Sequence, residues 1–384
     1  MQRERGQAAQ GTVEYSVLLA LVVIGAILAI SLLGGAVQGV FSNIICQISQ
    51  QPCFGVQGQA PVVPSTVNTR FLYSSVDSMK LSRDTDTNQL SQAEVNSAVA
   101  AMAQIGSNYI TVDGYWSYPD YAQKWVDAIR AQGKHVWFRM QPAQWEDNAG
   151  TTGIMAPSTF LTGEQAFILG HPSLFASGDV YDAISEPENG LYWAATYGDC
   201  VTCNAPNSYT QAYNQFILDS TNTANAAFAT LGISGIVTGI RSTNGYYASH
   251  PEALYNSTVA ALGFVTYDSY PEGSDTSPAD DAALRLNDLQ WVVDAHPTTP
   301  IVLGEIGYSN YAIVSDSQQE AVIKAELDAL RPHNEIAGAN YWVGPGGSGA
   351  GGYTNILVGS GGSWSERPAA ADLAAFYAYE ASKP

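Results

Sequence analysis

Basic residues are scarce in this 384-residue chain: 15 Lys and Arg stand against 35 Asp and Glu, a formal net charge of −20. Such a balance repels phosphate backbones, which argues against nucleic acid as a partner and favours a neutral or cationic ligand. Histidine is also sparse. His135, His171, His250, His296 and His333 are scattered and show no HExxH or Ser-His-Asp signature, which argues against zinc proteases and serine hydrolases. Neither a Walker lysine motif nor a GxGxxG turn follows the first strand-like run, so no cofactor and no metal is expected. The four cysteines form two close pairs, Cys46 with Cys53 and Cys200 with Cys203, compatible with two short-loop disulfides in an oxidising compartment. Neither pair has the histidines or further cysteines of a zinc set, although a CxxC such as Cys200-x-x-Cys203 can also be redox-active. Charged residues make up only 13% against 46% hydrophobic, with 8 Trp and 22 Tyr, so the chain can bury a large core and a disordered class is excluded.

Long apolar runs are absent except for one, residues 15–33, YSVLLALVVIGAILAISLL, which carry no charge and approach the ~20 helical residues needed to span a bilayer. Arg3 and Arg5 precede it and suit the cytoplasmic side, and no small-x-small cleavage site follows, which describes an uncleaved signal anchor. Glu14 sits at the edge of this run, where an unpaired carboxylate is costly and needs a partner. The stretch RERGQAAQGTVEYSVLLALVVIGAILAISLLGGAVQGVFSNI resembles the Flp-type (type IVb) pilins, in which a short basic leader is removed ahead of a hydrophobic helix that opens with Glu-Tyr. The resemblance implies a prepilin peptidase as a partner, cleavage before Gln10, Glu14-Tyr15 at the family's positions, and self-assembly into a pilus-like filament. Ala9 stands where the family has glycine before the cut, and Gly6 lies too far upstream for the register. Residues 1–45 are thus read as leader and helix, 46–68 as a Gln-, Pro- and Ser-rich linker, and 69–384 as one large domain.

In that domain short apolar runs alternate with helical segments, the pattern of parallel strands joined by crossover helices. Eight runs qualify: FLYSS near Phe71, YITV near Tyr109, HVWFRM near His135, VYDAI near Val180, GIVTGI near Gly235, GFVTY near Gly263, PIVLG near Pro300 and AGANYW near Ala337. The expected fold is therefore α/β, a (β/α)8 TIM barrel preceded by a single hydrophobic N-terminal helix.

Working residues of such barrels stand at the carboxyl ends of strands. Two acids occupy such places: Glu186 in SEPENG after the fourth run, and Glu305 in VLGEIGYS after the seventh. Carboxylates on well-separated strands can flank one bond, one protonating the departing oxygen while the other attacks the anomeric carbon or activates water. The alternative is that each caps a helix or pairs with an arginine, and Glu188 competes for the acid role. At these residues the domain resembles the clan A glycoside hydrolases, retaining (β/α)8 enzymes with an acid/base glutamate after strand four and a nucleophile after strand seven. The resemblance implies Glu186 as acid/base, Glu305 as nucleophile and β-linked polysaccharide or oligosaccharide as substrate. Ser185 stands where the family usually has an asparagine that bonds the sugar 2-hydroxyl.

Tyr270 resembles the family tyrosine that holds the nucleophile, with loop packing as the alternative. Arg139 ends the third run, placed either to keep Glu305 ionised or to serve a structural pair. Asp113 and Asp268 are candidate hydroxyl binders. Aromatics gather where loops are expected, among them Trp116, Trp193 and Trp342, and flat rings suit the C–H faces of sugars; Trp342 is the expected floor of the sugar site. The expectation is an extracellular or cell-surface retaining glycoside hydrolase, anchored in the membrane or carried on a pilus. The rival is a structural or adhesive filament subunit whose barrel binds glycan without cleaving it.

Overall fold

The computed structural model describes residues 65, 67–142, 155–187, 206–241, 251–270, 277–307, 315–346 and 354–383. All belong to one compact unit, Val63–Pro384. The expected N-terminal helix, its cleavage site and all four cysteines lie outside the described residues. Among the described residues no helix is long and apolar enough to cross a membrane.

Seven strands form a curled parallel sheet in the order β4-β3-β2-β1-β7-β6-β5. They are β1 (Tyr73–Asp77), β2 (Tyr109–Tyr115), β3 (His135–Gln141), β4 (Val180–Tyr181), β5 (Val265–Ser269), β6 (Ile301–Ile306) and β7 (Ile336–Tyr341). Between them run helices α1 (Met79–Ser82), α2 (Gln92–Gln104), α3 (Pro119–Ala131), α4 (Pro157–Gly170), α5 (Ser208–Thr230), α6 (Asn256–Leu262), α7 (Pro278–Ala295) and α8 (Asp316–Leu330), and α9 (Pro368–Ser382) follows the last strand. The helices start where the sequence supplies starts. Proline opens α3, α4, α7 and α9, where its missing N–H costs nothing. Ser91 and Glu94 close a reciprocal capping box on α2.

The fold is TIM-barrel-like, with one departure from the eight expected strands. The run GIVTGI is not a strand: it makes a single bridge, Val180 to Val237, with Tyr181 N–H donating to the Val237 carbonyl at 2.9 Å. On the β5 side the link at Arg241 runs from its N–H to the Thr266 hydroxyl at 3.3 Å, not along a ladder. Glycine explains the difference. Gly235 has φ of +78°, and a Cβ on Gly239 would lie 2.0 Å from the Leu262 carbonyl oxygen, so close backbone approach replaces regular pairing. A second departure is a hairpin, β8 (Leu357–Ser360) and β9 (Ser363–Glu366), turned on Gly361 and Gly362, both at positive φ.

The strand pleat sorts side chains into two sets. Ile110, Val112, Val136, Phe138, Ile301 and Leu303 face the helices and join the main apolar core. The alternate residues face one another inside the sheet's curl. At the amino-terminal end this inner set is apolar, with Tyr109, Trp137, Val180 and Val302 packed together. One pleat repeat on come hydroxyls, where Ser75 and Thr111 hydrogen-bond at 2.7 Å. One repeat further the strands present Asp77, Asp113, Arg139, Asp268 and Glu305, all buried.

Candidate active site

Arg139 is the hub of this last layer and is fully buried. Its Nη1 contacts the carboxylates of Glu305, of Asp77 at 3.2 Å and of Asp113 at 3.4 Å. Its Nη2 faces Glu186 Oε2 at 3.7 Å, and its Nε donates to Ser185 Oγ at 3.4 Å. Asp77 is itself fixed from two sides, accepting from the Met79 N–H at 2.7 Å and from Asn340 Nδ2 at 2.9 Å. Thr111 donates to the Asn340 carbonyl oxygen at 2.9 Å, which sets that amide's orientation.

Glu305 owes its aim to an irregularity in β6. Leu303 pairs with Tyr267 and Glu305 with Asp268, so Gly304 is an extra residue relative to β5, and the ladder to β7 shifts over the same stretch. Without that bulge Val302 and Glu305, three apart, would lie on opposite faces; with it both point inward. Tyr270, just past β5, donates its hydroxyl to Glu305 Oε2 at 2.6 Å. Burial, together with repulsion from Glu305 and Asp268, pushes the phenol well above its ordinary range, so Tyr270 remains a donor.

Glu186 follows β4 and carries φ of +40°, a left-handed backbone that non-glycine residues avoid at a cost of about 1–3 kcal/mol. The carboxylates of Glu186, Asp268 and Glu305 each place one oxygen within 4.8 Å of the others. Glu186 is 12% exposed and Glu305 6%, so both reach the surface of the mouth while Arg139 behind them does not.

The surrounding charges set the protonation pattern. Burial would lower the Arg139 pKa, but Asp113, Glu305, Asp77 and Glu186 outweigh it and hold the guanidinium well above its usual value. Burial raises Asp77 and, more strongly, Asp113, against the pull of Arg139 on each. Three oxygens sharing one Nη1 therefore leave Arg139 fixed as a cation among more acids than it can neutralise.

The structure thus brings together Glu186, Glu305, Arg139, Tyr270, Asp113 and Asp268. Trp342 follows β7, with its ring edge-on to Tyr270 at 5.9 Å and its indole N–H on the Met79 sulfur at 3.2 Å. Trp116 lies elsewhere in the wall. It packs on Phe160 and Phe167 of α4, with its indole N–H on the Met140 carbonyl at 3.1 Å. Trp193 and Glu188 lie outside the described residues. Sequence reasoning passed over Asp77 and Asn340, although Asp77 ends the first strand in the way Glu305 nearly ends the sixth.

No protein-family model and no curated protein matches the chain. Solved structures do match in fold. A GH5_18 protein from Streptomyces cattleya in complex with GlcNAc superposes with a TM-score of 0.57 at 12% identity, covering 83% of this chain and 82% of that one. A GH5-4 broad specificity endoglucanase from Clostridium acetobutylicum gives 0.56 at 13% identity, over 79% of this chain and 96% of that one. A family 5 xyloglucanase from Paenibacillus pabuli gives 0.54 at 11% identity, over 81% and 99%. At such identities the likeness is one of fold alone, that of a TIM-barrel-like α/β domain.

Proposed function

We propose that the domain is a retaining glycoside hydrolase acting on β-linked glycans, with Glu186 as acid/base and Glu305 as nucleophile. The observation that carries this is the approach of one Glu186 oxygen and one Glu305 oxygen to within 4.8 Å at the mouth of the curled sheet. Inverting pairs stand about 6.5–9.5 Å apart to admit a water between them, and retaining pairs about 5–5.5 Å. The short separation supports direct attack.

In this reading Glu305, oriented by the Arg139 and Tyr270 donors, attacks the anomeric carbon while Glu186 protonates the departing oxygen. A water then enters, gives its proton to Glu186, and breaks the glycosyl–Glu305 ester. Trp342 offers its ring to the sugar beside this bond. Asp268, within the same 4.8 Å group, is placed to bond a hydroxyl. Asp113, turned towards Arg139 and only 1% exposed, acts through that arginine.

The N-terminal segment is proposed to hold the enzyme at the cell surface, as a membrane anchor or within a pilus-like filament; mass spectrometry of the mature N-terminus separates the two by cleavage before Gln10. The rival, a glycan-binding filament subunit without hydrolysis, draws support from Ser185, whose hydroxyl is engaged by Arg139. Reducing-end release from a panel of β-glycans decides between them. Hydrolysis should fall by about 10³-fold or more in Glu186→Gln and Glu305→Gln, the size of loss seen when a nucleophile or its proton partner is removed. The first-formed anomer, read by NMR, should keep the β configuration. Binding without cleavage would establish the rival.

A further inference from the structure

Of the buried arginines other than Arg139, one bridges two strand ends. Arg285, on α7, is 1% exposed and sits behind the strand ends. Its Nη1 donates to the Ser269 carbonyl at 2.7 Å, and its Nη2 to the Gly307 carbonyl at 3.1 Å and to Glu326 Oε2, on α8, at 2.8 Å. Burying a guanidinium is costly unless its donors are matched, so a position that draws in two backbone carbonyls and a carboxylate needs a reason.

The reason lies in what those carbonyls belong to. Ser269 immediately precedes Tyr270, and Gly307 lies two residues past Glu305. Between them β6 carries the Gly304 bulge, where its pairing with both β5 and β7 slips by one residue. A bulge interrupts ladder hydrogen bonds, so strand spacing there is less constrained than in a regular sheet. Arg285 spans that weak point with a planar fork whose geometry a flexible ammonium does not reproduce. Beyond it Gly307 lies so close to β7 that a Cβ would sit 2.1 Å from the Trp342 carbonyl oxygen, so the same clamp bears on Trp342 as well.

We propose that Arg285 is a positioning residue: by tying the ends of β5 and β6 together behind the bulge, it sets the distance between Tyr270 and Glu305 and so the aim of the nucleophile. This rests on the reading of Glu305 given above. The guanidinium touches neither substrate nor reacting atoms and works only through backbone carbonyls.

The test compares Arg285→Lys, Tyr270→Phe and the double variant in the full chain. Arg285→Lys should lower kcat about ten- to a hundredfold, the scale on which small misplacements act, with KM nearly unchanged. The double variant should be no slower than the slower single, because both changes act on one contact. Multiplying effects, or a lowered Tm with wild-type kcat, would overturn the proposal. A readout independent of hydrolysis is ring-labelled tyrosine NMR, with the Tyr270 signal assigned by its loss in Tyr270→Phe. That signal should move in Arg285→Lys even if the wild type proves inactive on every glycan, a result that would remove the enzymatic reading while leaving the clamp. An unmoved signal would overturn the clamp itself.

Discussion

Arg139 and Arg285, two of the buried arginines of this domain, have opposite surroundings. Arg139, inside the curl, meets four carboxylates and is short of charge to satisfy them. Arg285, behind the strands, meets one carboxylate and two carbonyls, whose dipoles a single cation can match. Their acids differ accordingly. Burial pushes Glu326 up to about 7 even with Arg285 drawing it back, whereas Asp113 is driven well above the carboxylate range by burial and by Asp77 and Glu305 together. The same side chain is an electrostatic centre in one place and a mechanical tie in the other, and what separates the two is how many like charges share it.

The comparison can be broken most severely by removing the first cation. Arg139→Met leaves Asp77, Asp113, Glu186 and Glu305 facing one another, and should cost about 3–5 kcal/mol in denaturant unfolding. Loss of less than 1 kcal/mol would mean that those acids are already neutral.

Relieving the crowd should do the reverse. Because Asp113 binds its proton more tightly in the folded protein than in the unfolded chain, stability is full below the ordinary carboxylate pKa of about 4 and is lost as pH rises towards the folded-state value. Asp113→Asn removes that loss. Its Tm should rise by about 2 °C at pH 7, with a smaller gain near pH 4, in thermal scans at both pH values. An equal shift at the two pH values would indicate a packing effect instead.

The smallest expected change calibrates the scale away from both arginines. Gly263 ends α6 at φ of +82°, and Gly263→Ala should destabilise by about 1 kcal/mol while leaving kcat untouched. An altered kcat would show that the helix end is coupled to the site.

Much of this was legible in the chain because strands buried on both faces read as unbroken apolar or β-branched runs. VYDAI, PIVLG and HVWFRM announce themselves, and acids or an arginine at their ends stand out against such backgrounds. Glu186, Glu305 and Arg139 stand out in that way, whereas Tyr270 is picked out by its resemblance to the family tyrosine. GIVTGI misled because composition alone does not show that Gly239 must accommodate the Leu262 carbonyl. Asp77 and Asn340 were missed because their meaning comes from each other across 263 positions. Arg285 was hidden for a related reason: in a helical stretch it reads as a solvated face, and only the Gly304 bulge, itself invisible without strand register, gives it work.

Glu186 sits in a backbone shape suited to glycine, immediately before Pro187, a residue that further restricts its predecessor. For folding alone, glutamate is a costly choice there. If variants of this domain were propagated under heat selection with no demand for activity, position 186 should be among the first to drift, towards glycine or asparagine, and the survivors should melt higher while doing nothing.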